Sequence, residues 1–227
     1  MGHDLSHCGW QDRIICDPVA FGIDATLIAD ALKKSTTERL EGVRSAAVSL
    51  AEIRASGRRD AAVVRVPDYR AILEQLVQRD VDFVVVGGVA FAAHGSAHVT
   101  WDIDICYSRA TMNLERISNA LLPIRPTLRG ALADLPFTLD VPTIQAGLNF
   151  ALATEAGHLA LVGEITGLGT YEAVAHFAER LTIYDFDVNV LSLEGLERTK
   201  RASGRPRDLV RLAEILEIRR QTGTHSA

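Results

Sequence analysis

The sequence predicts a mixed α/β (α+β) fold, a sheet flanked by helices over residues 65–227, behind a helical extension spanning 1–64. Three observations predict it. The run Val81–Val86 is apolar and rich in β-branched residues, as a strand buried on both faces must be. Asp102–Tyr107 alternates polar and apolar residues, the period of a strand with two unlike faces. Stretches with apolar residues at helical spacing lie before, between and after these strands, and such alternation builds helices onto a sheet.

Taken in order, residues 1–17 show no periodicity, and a loosely ordered start is expected. Ile23, Leu27, Ile28, Ala31 and Leu32 then recur at helical spacing behind Asp24, a residue suited to cap the first turn. Ser35 and Glu38 have the spacing of a capping box. They open a second helix, lined by Leu40, Val43, Ala47, Leu50 and Ile53 and ended by Gly57-Arg58-Arg59-Asp60. The extension thus reads as a helical hairpin whose apolar stripe suits dimerisation or pairing with a partner helix.

Asp68–Arg79 is amphipathic and helical, and leads into the buried strand, which ends in Gly87-Gly88. Val89–His94 starts a helix, and residues 111–122 form another. Pro123, Pro126 and Gly130 mark a break and loop. Asn149–Thr154 and His158–Val162, joined by Glu155-Ala156-Gly157, are expected to form a hairpin. Gly163–Thr170 reads as loop, Tyr171–Arg180 as helix, and Leu181–Leu191 as two short strands or one bulged strand. Helices over Leu193–Lys200 and Asp208–Arg220 close the chain.

Composition sets bounds on function. At 227 residues, 48% hydrophobic and 23% charged, the chain can bury a core without staples. Its three cysteines, Cys8, Cys16 and Cys106, are scattered and odd in number, which fits a reducing cytoplasm rather than a disulfide framework. No run of eighteen apolar residues is present to span a membrane, and the first residues lack the basic-then-apolar order of a signal peptide. A net charge of −5 argues against a broad nucleic-acid surface, although Arg198–Arg201 and Arg205–Arg207 leave room for a narrow one.

The candidate chemistry lies in two places. Asp102 and Asp104, two apart on a strand, project from one face, and two close carboxylates favour a cation between them. Hard oxygen ligands suit Mg2+ shared with substrate phosphates, although a lone D-x-D also fits a strand edge facing water. Gly87 and Gly88 let backbone amides approach an anion at a helix start, and equally fit a tight turn. Their spacing matches neither the dinucleotide fingerprint nor the P-loop.

Together, Val84-Val85-Val86-Gly87-Gly88-Val89-Ala90-Phe91-Ala92-Ala93-His94-Gly95 and Thr100-Trp101-Asp102-Ile103-Asp104-Ile105 resemble the polymerase-β-like nucleotidyltransferase superfamily. The closer similarity is to the bacterial subgroup of abortive-infection (toxin-type) nucleotidyltransferases, whose late basic segment is matched by Lys200–Asp208. The resemblance covers roughly residues 68–215. It implies Mg2+-dependent transfer of a nucleoside monophosphate from a nucleoside triphosphate to an acceptor hydroxyl. In that subgroup the acceptor is a tRNA or a protein, and the enzyme is the toxin of a toxin–antitoxin pair. Asp102 and Asp104 would be the catalytic metal ligands, in a two-metal mechanism, with Gly87, Gly88, Ser96, Thr100 and Lys200 at the nucleotide. Turn chemistry explains Ser96 equally well, and Lys200 also fits an ordinary solvated lysine.

Two departures stand out. The superfamily pattern places a third carboxylate on a later strand, where His158-Leu159-Ala160-Leu161-Val162-Gly163-Glu164 has Ala160. Glu164 could substitute only if the chain bends at Gly163. His98 stands where relatives often carry arginine. The alternative is therefore a catalytically degenerate fold that binds a nucleotide or a partner. A transition-metal site from His94, His98 and Cys106, and a second D-x-D at Asp185 and Asp187, are weaker candidates.

Overall fold

The computed structural model describes residues 18–56, 66–131 and 136–223. The expected loose start and the stop at Gly57–Asp60 lie outside them.

After a single 3-10 turn at Pro18–Phe21, helix α1 (Ala25–Leu32) is capped by Asp24, whose carboxylate accepts from the Thr26 amide at 2.9 Å. Helix α2 (Thr36–Ser56) opens with the expected capping box. The Ser35 amide donates to Glu38 at 2.8 Å, and the Glu38 amide to the Ser35 hydroxyl at 3.3 Å. Its apolar stripe is buried only in its first half: Leu40, Val43 and Ala47 enter the core, while Leu50 and Ile53 stay exposed. Polar links tie the hairpin together and hold it onto the sheet and its helices. Arg39 donates to the Ala31 and Ala93 carbonyls, Thr37 accepts from the Tyr184 amide at 2.8 Å, and Tyr184 donates to Glu41.

Helix α3 (Tyr69–Val77) leads into β1 (Phe83–Val86), α4 (Gly87–Ala93) and β2 (Ile103–Tyr107). Next come helix α5 (Thr111–Leu121), β3 (Thr127–Leu128) and α6 (Val141–Ala146), then the hairpin β4 (Asn149–Thr154) and β5 (Gly157–Val162). The region expected as loop holds a two-stranded ladder, β6 (Glu164–Ile165) with β7 (Gly169–Thr170). The expected helix over Tyr171–Arg180 is shorter: α7 stops at Ala175, and Ala178–Ile183 is strand β8. Pairing with β9 (Phe186–Leu191) claims those residues, an instance of sheet partners overriding local periodicity. Tyr184 and Asp185, both at positive φ, make the two-residue turn between these strands. Helices α8 (Leu193–Ser203) and α9 (Pro206–Thr222) finish the chain.

Seven strands form one mixed sheet in the order β3-β4-β5-β2-β1-β9-β8. Strand β2 runs antiparallel to β1 and parallel to β5, and β1 runs parallel to β9. The mixed α/β architecture is thus as expected. Residues paired in register share a face. One face carries Ile103, Ile105, Leu159, Leu161, Val85 and Val190, all of them buried. The other carries Asp104, and beside it Ala160 and Ala151, neither of them buried. Among the described residues, no helix is long and apolar enough to cross a membrane.

Candidate functional site

Asp104 sits at the centre of the sheet, between Val86 of β1 and Ala160 of β5 in register. Its carboxylate lies against the start of α4. A Cβ built on Gly87 would stand 2.0 Å from Asp104 Oδ2, and Gly87 has φ +63°, so both space and backbone require glycine there. At Gly88 a Cβ would meet Thr100 Oγ1 at 2.4 Å. The Gly88 amide favours the charged form of the Asp104 carboxylate. The paired glycines therefore seat the carboxylate and the threonine against a helix start.

Asp102, just ahead of β2, is held from several sides. Tyr69, fully buried on α3, donates to the Thr100 carbonyl at 3.2 Å and fixes the approach. The Thr100 hydroxyl lies 3.2 Å from the Asp102 carbonyl and 3.4 Å from its Oδ1. Asp102 Oδ2 receives Arg129 Nη1 at 3.3 Å. Arg129 comes directly after β3 at the far edge of the sheet, and the sequence showed nothing there beyond a loop. The pair is too exposed to add more than roughly 1 kcal/mol to the fold.

Burial, and then the negative charge of Asp102, push the Asp104 carboxyl up to about 6, against the opposing effects of Lys200, Gly88 and Arg129. His158, on the same face of β5 as Ala160, is shifted down by burial and by Arg129.

Asp104 faces a cleft of about 820 Å3, a size suited to a small ligand. Val86, Gly87 and Leu191 line the sheet side, and α8 and α9 supply Lys200, Arg205, Arg207 and Arg211. Lys200 pairs with the buried Asp208 at 3.4 Å and lies 5.7 Å from the Phe91 ring centroid. Asp208 is thus an ion-pair partner, while Arg205 takes the cap position of α9. Arg198 and Arg201, also expected in a basic patch, are matched along α8 by Glu194 and Glu197. His98 lines the cleft too, shifted down by burial and by Arg211.

Of the residues singled out in the sequence, Gly87, Asp104 and Lys200 line the cleft together, with Gly88, Thr100 and Asp102 directly behind or beside them. Ser96 stands apart. It is 2% exposed, donates to Glu214 Oε1 at 2.6 Å and accepts from the His98 amide at 3.1 Å. Ser96→Ala should therefore act on stability, costing about 1–3 kcal/mol in urea unfolding by leaving Glu214 short of a donor, with ligand responses retained.

The other candidates are held in structural roles. His94 Nε2 bonds the Leu191 carbonyl at 2.9 Å, and Cys106 is fully buried, its thiol pushed up to about 12. Asp187, at an exposed position of β9, pairs with Arg180 at 3.3 Å. After β5 the chain turns at Gly163, whose amide donates to the Leu148 carbonyl, and this brings Glu164 into the lining of the cleft. Comparison with protein-family models and with curated protein sequences gives no match.

Proposed function

We propose that the chain transfers a nucleoside monophosphate from a nucleoside triphosphate to an acceptor hydroxyl, on tRNA or on a protein. The observation that carries this reading is the Asp104 carboxylate, with Asp102 beside it, facing a cleft of about 820 Å3 that is also lined by Lys200, Arg205, Arg207 and Arg211. Anionic phosphates fit these basic residues, and a cation fits the carboxylates.

The residues suit Mg2+. Asp104 is held against ionisation by burial and by Asp102, so a cation between the two relieves what the protein leaves uncompensated. Asp102 and Asp104 would hold the ion, which supplies charge neutralisation at the phosphates. The protein's own part is positioning. Gly87 seats Asp104 and Thr100 contacts Asp102, and Lys200 with Arg205 and Arg207 would bring positive charge to where pyrophosphate would leave. In the reaction the acceptor hydroxyl would lose its proton to water and its oxygen would bond to the α-phosphorus, as the bond to the bridging oxygen breaks and pyrophosphate leaves.

A second reading is a degenerate fold that binds nucleotide without transfer. It is favoured by Ala160, which stands in register beside Asp104 where a third acid would be. Incubation with α-phosphate-labelled triphosphates, Mg2+ and tRNA or total protein separates the two. Label on an acceptor, with pyrophosphate released and both lost in Asp102→Ala and Asp104→Ala, supports the enzyme. Bound nucleotide with neither label nor pyrophosphate supports the binding module. On the enzyme reading, a toxin controlled by an antitoxin is the setting we favour, with the exposed Leu50 and Ile53 of α2 offering a face to a partner or a second copy.

A further inference from the structure

We infer that the Arg129 guanidinium stands where a second cation would, so that Asp102, Asp104 and Arg129 form a centre charged for one divalent ion. The inference rests on the nucleotidyl-transfer reading and deepens it. Three lateral steps across the sheet separate the two ends of the arrangement. The Arg129 amide donates to the Ala151 carbonyl at 2.8 Å, Ala151 is in register with Ala160, and Ala160 is in register with Asp104. One row of the sheet therefore runs Arg129, Ala151, Ala160, Asp104. With strands about 4.8 Å apart, the Arg129 side chain reaches Asp102, two residues before Asp104, only by crossing over that row. The two alanines leave the path open, and the guanidinium arrives at Asp102 Oδ2 at 3.3 Å.

Charge balance points the same way. An acid at Ala160 would add one negative charge in that row; the row has none, Glu164 entering the cleft only beyond the turn at Gly163, and a positive guanidinium reaches Asp102 instead. The difference is two charges, that of one divalent ion. Arg129 acts through Asp102, as a positioning residue.

The test is to count Mn2+ ions bound per chain, by equilibrium dialysis and electron paramagnetic resonance, with a saturating non-hydrolysable nucleoside triphosphate. One ion is expected on the wild type and on Arg129→Lys, and two on the double variant Arg129→Ala/Ala160→Asp. Two ions on the wild type would overturn the inference, and so would a single ion on the double variant with nucleotide still bound. Should the double variant not fold, the wild-type count decides alone. No nucleotide and no ion on the wild type would overturn the nucleotidyl-transfer reading itself, and this inference with it.

Discussion

Replacing Gly87 with alanine is expected to destabilise the protein by roughly 3 kcal/mol, through two causes that can be separated. An alanine at φ +63° costs about 1–2 kcal/mol of backbone strain, and its Cβ would lie 2.0 Å from Asp104 Oδ2. For a chain of this size the melting temperature should fall by about 10 °C. The second cause needs the Asp104 side chain, the first does not. The double variant Gly87→Ala/Asp104→Ala should therefore recover part of the loss relative to Gly87→Ala, and a thermodynamic cycle over the four proteins measures that coupling. Strict additivity would mean that Asp104 is not seated on Gly87.

Asp104→Asn should act in the opposite direction on the ligand-free fold. The carboxyl is pushed from 3.8 up to about 6, so the folded state resists its ionisation. The penalty is absent below the unfolded value, grows as pH rises through the interval to about 6, and stays constant above it. A shift of about two units corresponds to up to about 3 kcal/mol. The asparagine variant should accordingly be more stable than wild type in urea at pH 8, with the advantage nearly gone at pH 4. Equal stabilities at both pH values would rule out a buried charge at Asp104. A buried carboxyl with a raised pKa that faces a cleft is a candidate functional group.

The parts of this site that could be read from the sequence are those built from neighbours along the chain. Gly87-Gly88 comes directly after β1, and Asp102 and Asp104 are two residues apart at one strand, so spacing and period bring out both. The capping box and the β4–β5 hairpin are equally local. What escaped depends on strand order. Arg129 reaches Asp102 only because β3 pairs with β4, β4 with β5, and β5 with β2, and nothing in Thr127–Gly130 signals that path. Helix α6 had the signals of a start, Asp140 as cap and Pro142 in its first turn, but six residues are too few to show a period. The hydroxyl of Ser96 sits beside Gly95 in sequence yet turns inward to Glu214, a partner 118 residues away. Ala160 is the instructive middle case. The resemblance singles it out as the place of a missing acid, whereas its register with Asp104 and the guanidinium reaching Asp102 emerge only from the folded sheet.

A magnesium-dependent nucleotide site built on Asp104 is tested most directly by thermal unfolding of the wild type and Asp104→Asn. Each protein is melted with each of the four ribonucleoside triphosphates, with and without Mg2+. At a hundredfold excess over the dissociation constant, binding stabilises by about 2.7 kcal/mol, a rise of about 5–10 °C. That rise is expected for the wild type with at least one triphosphate, only when Mg2+ is present, and should be lost in Asp104→Asn. No rise with any triphosphate, or an equal rise in the variant, would contradict such a site.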